Sequence, residues 1–292
     1  MGTLIAMHYP TDLFADQADH AYVKCGTGAK AWGCWGGKTG GSELRRGEGS
    51  TRRADAIAGA NERAGITCYL VNGVCHQAAN RILLPALVTV RGVRGYHISE
   101  ALFGTYGRLL IWPCRAPFDQ HPEINGDLPE CSEPDKVSVG TGILKLSAVE
   151  RKIEQKYLQG VLALYGGPTG QAVRMLKQVK IADVENHHMN LFLLMADFKL
   201  KSDLTENIRK KLGSVRKNTE RLISKMEESY SNNDMPIHDY ITEFNRETIN
   251  FQNSLANTLK PEHYRKLLDM EPGDTVILAD RKIIKEVYNV EF

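Results

Sequence analysis

The sequence predicts an α+β fold in two parts, a strand-rich N-terminal region and a helical C-terminal one, and three observations carry that expectation. All six cysteines, all three tryptophans and most of the 26 glycines lie before residue 141. Prolines at Pro113, Pro117, Pro122, Pro129 and Pro134 then forbid a regular helix, because each ring removes a backbone donor and restricts the residue before it. Beyond them the apolar residues recur every three to four positions, the spacing of one helix face. The expected division is residues 1–112, a Pro-rich loop or linker over 113–145, and a helical domain over 146–292.

In the first part, Ala21-Tyr22-Val23 and Ala31-Trp32-Gly33-Cys34-Trp35 are compact apolar runs flanked by glycine, and Gly65 to Val71 is a β-branched and aromatic run ending at Asn72-Gly73. These read as short strands separated by turns. From Cys75, the stretch CHQAANRILLPA has helix formers, with Ala79, Ile82 and Leu83 on one face, and stops at Pro85. A strand, an Asn-Gly turn and a helix that begins at a cysteine are therefore expected in succession.

In the second part, Val149, Ile153, Tyr157, Val161 and Leu164 form a first stripe, and a mixed segment from Gln171 to Leu200 is expected to be helical. Leu204, Ile208, Leu212, Val215, Thr219, Leu222 and Met226 form a second stripe. Ile237, Ile241, Phe244, Thr248, Phe251, Leu255 and Leu259 form a third. The breaker Ser231-Asn232-Asn233-Asp234-Met235-Pro236 separates them, which predicts an antiparallel helical hairpin, then a short helix from Pro261. The tail, Thr275 to Ala279 and Asp280 to Tyr288, fits a strand or a further helix.

A formal net charge of +2 argues against a dedicated nucleic-acid binder. No apolar run approaches the roughly 20 residues of a membrane span, and MGTLIAMHYPTDLF lacks the regions of a secretory signal, so the expected compartment is the cytoplasm. Six cysteines without C-x-x-C spacing argue for reduced thiols and against a zinc ribbon.

A thiol at a helix N-terminus sits where unpaired N–H groups and the helix dipole stabilise an anion, and the same groups can hold a developing oxyanion. Cys75 is therefore the candidate nucleophile, against the plain alternative of a small buried hydrophobe. Its base would be a histidine. His76 is adjacent but points about 100° away on a helix. His97, in GYHISE, fits a following strand, and His20, in DHAYV, opens an earlier one. Gln77 is placed to reach an oxyanion or to cap the first turn, and of Trp32 and Trp35 at most one, here Trp35, lines a cleft.

A histidine at the start of a short strand, an aromatic-glycine strand and a cysteine heading a later helix resemble the circularly permuted papain-like thiol hydrolases, among them NlpC-like amidases and lecithin:retinol acyltransferase-like enzymes. DHAYVKCGTGAKAWGCWGG and NGVCHQAANRIL carry the likeness, over about the first 110 residues. The resemblance implies a small antiparallel papain-like sheet, Cys75 as nucleophile, His20 as general base and acyl transfer through a thioester. Such enzymes place a polar third member on the strand after the histidine strand, yet Ala31 to Gly36 offers no acid, amide or second histidine. A backbone carbonyl would then have to orient the imidazole.

Other signals point elsewhere. Gly36-Gly37-Lys38-Thr39-Gly40-Gly41 lacks the G-x-x-x-x-G-K-[ST] spacing of a phosphate loop. Arg45, Arg46, Arg52 and Arg53 lie among acids and fit a solvated loop. His187-His188 with Asp183 and Glu185 has ligand types but no second cluster, so no metal is expected. The basic region from Lys199 to Lys225 fits a solvated face or a protein-binding surface. The sequence thus points to a cysteine-dependent hydrolase or acyltransferase that acts on a peptide or acyl substrate without a cofactor. The alternative is a non-catalytic scaffold that binds a protein partner through its helices.

Overall fold

The computed structural model describes residues 2–11, 17–33, 35–52, 54–55, 58, 69–70, 73–105, 107, 181–231 and 233–288. It is an α+β chain with a four-stranded antiparallel sheet followed by helices. Strands β1 (Gly2–Tyr9), β2 (His20–Cys25), β3 (Ala31–Trp32) and β4 (Ser42–Gly49) lie in the order β3-β2-β1-β4. The register Ala6↔Val23 and Tyr9↔His20 sets the faces. Cross-strand partners share a side and neighbours alternate, so Leu4, Ala6, Ala21 and Val23 face one way, with Tyr9, His20 and Tyr22 on the other.

Helix α1 (Cys75–Leu83) packs on the first face, where Ala79, Ile82 and Leu83 join Leu4, Ala6, Ala21 and Val23 in one apolar cluster. A 3-10 turn, Leu84–Ala86, continues it. Helix α2 (Tyr96–Phe103) follows, and then α3 (Ile181–Leu200), α4 (Glu206–Ser231), α5 (Ile237–Thr258), α6 (Pro261–Leu268) and α7 (Arg281–Tyr288). The expected hairpin is α4 with α5, and its breaker is the turn in which Asn233 adopts φ 61°. The short helix does begin at Pro261, and the last segment of the tail is a helix. The longest helices that are described are not apolar enough to cross a membrane.

Several expectations change. The charged stretch Ser42–Gly49, read as a solvated loop, is a strand: it sits at the sheet edge, where charge is tolerated because only one face packs. Glycine is what lets it pack. A Cβ at Gly49 would stand 2.7 Å from the Pro85 carbonyl oxygen, so the strand meets the Leu84–Ala86 turn backbone to backbone. Residues 2–9 form a strand that the sequence reading did not assign. The strand expected over Ala31 to Trp35 ends at Trp32. His97, expected on a strand, lies in α2, where a glycine N-cap with φ 81° starts the helix. The linker over 113–145 and the stripe from Val149 to Leu164 lie outside the described residues, as do most of the run Gly65 to Val71 and Asn72 of its turn.

One apolar cluster spans both parts of the chain. Trp35, Tyr69, Val74 and Ile98 share it with Phe192, Leu212, Phe244, Leu255 and Leu278. Arg216 of α4 strengthens the junction, donating from Nε to the Ala101 carbonyl at 2.7 Å and from Nη2 to the Leu102 carbonyl at 2.7 Å. Those carbonyls belong to the last turn of α2, whose acceptors the helix itself leaves unfilled.

Candidate functional site

Cys75 is the first residue of α1 because Val74 before it is extended, with φ −123° and ψ −171°. Gln77 locks that start. Its Oε1 accepts from the Val74 N–H at 3.1 Å, and its Nε2 donates to the Gly104 carbonyl at 3.0 Å and to Ser99 Oγ at 3.2 Å. Gln77 therefore spends its amide on the cap and on the loop after α2, the first of which is the capping alternative the sequence offered.

His76 pins the head of the helix to the strand. Its Nε2 lies 2.8 Å from the Asp19 carbonyl oxygen, which can only accept, so Nε2 carries the proton. Nδ1 lies 2.9 Å from Ser99 Oγ, whose hydroxyl also reaches the Tyr96 carbonyl at 2.8 Å. Burial holds this ring neutral, down to about 4, with the Asp19 carbonyl opposing and His20 and His97 reinforcing the shift. The clamp matters because Asp19 precedes His20. It draws the start of β2 to the start of α1, where the backbone N–H of Ala21, one residue beyond His20, acts to lower the pKa of the Cys75 thiol.

The His20 ring is 1% exposed. Its Nε2 lies 3.0 Å from the Gly37 carbonyl oxygen, so this nitrogen is the donor and the neutral ring keeps a bare lone pair on Nδ1. Nδ1 is buried with no hydrogen-bond partner among the described residues. His8 Nδ1 and His263 Nδ1 are buried without a hydrogen-bond partner among the described residues as well, so the feature is not particular to this ring. The ring lies against Tyr9, with centroids 4.8 Å apart, and Gly36 backs it. A Cβ at Gly36 would stand 2.6 Å from His20 Cε1, and the residue holds φ +73°, so no other residue fits there without moving the imidazole.

Two residues of this site were missed by the sequence reading. Tyr9 arrives on β1, opposite His20 in the register. Asp280 arrives from the far end of the chain, ahead of α7, and its negative charge acts on His20, Cys75 and Tyr9 alike. Asp280 caps the segment it opens: its Oδ1 accepts from the N–H groups of Lys282 at 2.8 Å and Ile283 at 3.2 Å.

The electrostatics define the resting state. Burial pushes the Cys75 thiol up to about 12; the N–H groups of Ala21, His76 and Cys75 itself pull it down, and Asp280 pushes it up further. Burial lowers His20, with Asp280 and the Gly37 carbonyl opposing. Burial raises Tyr9 to about 12, aided by Cys75 and Asp280. A neutral thiol and a neutral imidazole are the states these environments favour, and Tyr9 keeps its proton.

The remaining candidates lie elsewhere. His97 is committed to Glu100, with Nδ1 donating to Oε2 at 2.9 Å. Glu100 also accepts from Arg91 Nη2, Tyr96 Oη and Thr105 Oγ1, each at 3.2 Å. Burial raises this carboxyl, but Arg91, His97 and Lys199 outweigh it, leaving it well below the ordinary carboxylate range. Trp35 packs in the large apolar cluster, edge-on to Tyr69 with centroids 5.1 Å apart. In the arginine group, Arg46 pairs with Glu43, and Arg45 Nη2 donates to the Arg91 carbonyl at 2.5 Å. Of the basic helical region, Lys199 Nζ donates to the Leu267 carbonyl at 2.6 Å and Arg216 is buried. Side chains of His187 and His188 lie outside the described residues. Among the described residues, no three His, Cys, Asp or Glu groups converge to hold a metal ion.

Compared with known proteins, the chain matches no family model, no curated protein and no solved structure.

Proposed function

We propose that this chain is a cysteine-dependent hydrolase or acyltransferase in which Cys75 attacks an amide, ester or thioester carbonyl and His20 serves as general base. One observation carries the reading: a thiol at a helix N-terminus lies beside the start of β2, whose first residue is a buried histidine with an unpartnered Nδ1. A backbone carbonyl, Gly37, supplies the orientation that the sequence left without a side chain. The order of the two residues along the chain and their elements are those the resemblance to permuted papain-like enzymes implies.

The chemistry follows from the resting state. His20 Nδ1 takes the thiol proton as the sulfur bonds to the carbonyl carbon, and the charge on the former carbonyl oxygen meets N–H groups at the head of α1. The intermediate collapses to a thioester as the leaving group departs with the proton from His20. Water or another acceptor then attacks the thioester, His20 again holding and returning the proton, and the thiol is regenerated. Because the thiol is neutral at rest, proton removal accompanies attack instead of preceding it. A free thiol of this kind suits a reducing compartment such as the cytoplasm.

The test is acylation by p-nitrophenyl acetate, followed by peptide mass spectrometry. The expected result is a stoichiometric burst of nitrophenol and an acetyl group on Cys75, lost in Cys75→Ala and strongly slowed in His20→Ala. Acetylation at other residues only, or equal rates with and without His20, would overturn the reading.

A second reading, a non-catalytic protein that binds a partner through its helices, is favoured by one observation: the Cys75 side chain is in a residue only 8% exposed, with its thiol pushed up to about 12. On that reading the probe leaves Cys75 unmodified in the folded chain and labels it only in denaturant.

A further inference from the structure

The C-terminal segment does more than close the apolar core. Ile277 bridges Gln17 in parallel orientation, and the Ala18 N–H donates to the Ile277 carbonyl at 3.1 Å. Gln17 Nε2 reaches the Ala279 carbonyl at 3.3 Å. These contacts hold the segment that leads into His20 against the one that leads into Asp280, and the Asp280 charge acts on the His20 ring. A second tether fixes Asp280 from the other side. Its N–H donates to Tyr69 Oη at 2.8 Å, and that hydroxyl donates to the Leu278 carbonyl at 3.0 Å. Tyr69 in turn packs on Trp35, the residue before the glycine that backs the His20 ring. Backbone and side-chain contacts thus hold Asp280 at the Cys75–His20 site from two directions, and the cap bonds to Lys282 and Ile283 set its carboxyl group.

We propose that Asp280 is the positioning residue of this site, its carboxylate stabilising the imidazolium that forms when His20 takes the Cys75 proton. The inference rests on the enzymatic reading above and supplies the third member that the strand after β2 lacks. An anion near the base favours the charged ring, and in a buried setting that attraction is strong. The same charge disfavours a free thiolate, so Asp280 steers the pair toward concerted proton transfer. The other titratable groups acting here are Tyr9, His76 and Cys75. Tyr9 and His76 are neutral in the resting state, the neighbouring Asp19 faces His8, and among the described residues Asp280 is an anion whose charge acts on His20. The consequence is architectural: the N-terminal sheet and α1 carry the nucleophile and base, but the site is complete only when the end of the helical part lies across the approach to β2.

Asp280→Asn in the full chain tests this, because asparagine keeps both cap bonds and removes the charge. Three readouts are followed: the rate of Cys75 acetylation by p-nitrophenyl acetate against pH, the titration of the His20 imidazole by NMR, and the thermal midpoint. The expected result is acetylation slowed about tenfold, with its acid limb and the His20 titration both displaced to lower pH. The apparent ionisation of Cys75 in iodoacetamide alkylation moves to lower pH as well, and the thermal midpoint stays unchanged. Asp280→Glu, which restores the charge, recovers part of the rate. A rate that falls without movement of either titration would mean a purely structural residue and overturn the proposal. Acetylation at Cys75 that Asp280→Asn leaves unaltered overturns this role alone; absence of acetylation in the unsubstituted chain overturns the enzymatic reading and this role with it.

Discussion

Two buried polar constellations stand in this protein, and both contain a histidine that burial drives toward neutrality. Around Glu100 both carboxylate oxygens are engaged: His97 reaches one, and Arg91, Tyr96 and Thr105 reach the other. Around Cys75, by contrast, His20 donates through Nε2 and keeps Nδ1 without a partner. Burial alone does not separate the two, since Glu100 and His20 are both nearly inaccessible. What separates them is completion. A satisfied network contributes to stability and specifies one packing arrangement, whereas an open valence beside a thiol is kept at a cost that folding does not repay.

The largest effect that can break this contrast is on activity. His20→Ala is expected to slow Cys75 acetylation about 10²–10⁴-fold, the range for loss of a general base, while His97→Ala leaves that rate within about threefold. Nitrophenol release measures both, and the reverse pattern would make α2 the source of the base. Next comes stability. Glu100→Ala leaves Arg91 without its buried counter-ion and strips three further donors, at an expected cost of about 3–5 kcal/mol in urea unfolding.

A smaller effect depends on pH. His76 has a folded value of about 4, below the roughly 6.5 of an unfolded histidine. The unfolded chain therefore binds a proton first, so the stability from neutral His76 is complete above pH ~6.5 and is lost as pH falls toward 4. At pH 5 the loss is about 2 kcal/mol, and His76→Gln should flatten that part of the urea-midpoint profile. His20 and His97 are lowered too and leave a residual slope. The smallest effect is at Gly36. Gly36→Ala costs about 1–2 kcal/mol for its left-handed backbone, and the new methyl displaces the His20 ring. Acetylation should fall more than the thermal midpoint does.

Much of the framework was legible in the residues. The compact apolar run Ala21 to Val23, the helix formers after Cys75, and the two stripes either side of Ser231 to Pro236 each carry a local signal, so local pattern was enough to place them. The edge strand Ser42–Gly49 was not, because charge and glycine are as suited to an edge as to a loop, and only pairing with β1 distinguishes them. His97 failed for a related reason: GYHISE is short and mixed, and its helix is decided by the left-handed Gly95 and by burial against neighbours. At the site, Cys75 and His20 carried local signals, a helix head and a strand start. Tyr9 and Asp280 carried none that pointed to chemistry.

The sequence by itself determined where strands and helices can form and which thiol stands at a helix head, since those depend on backbone propensities and spacing within a few residues. The tertiary structure decided which groups meet. His76 fastens Asp19 to the head of α1, the Gly37 carbonyl fixes the His20 tautomer, and the tail brings Asp280 to a site whose other members lie near the opposite end of the chain. Such meetings depend on packing and hydrogen bonding between distant segments, whose energies no local window of residues contains.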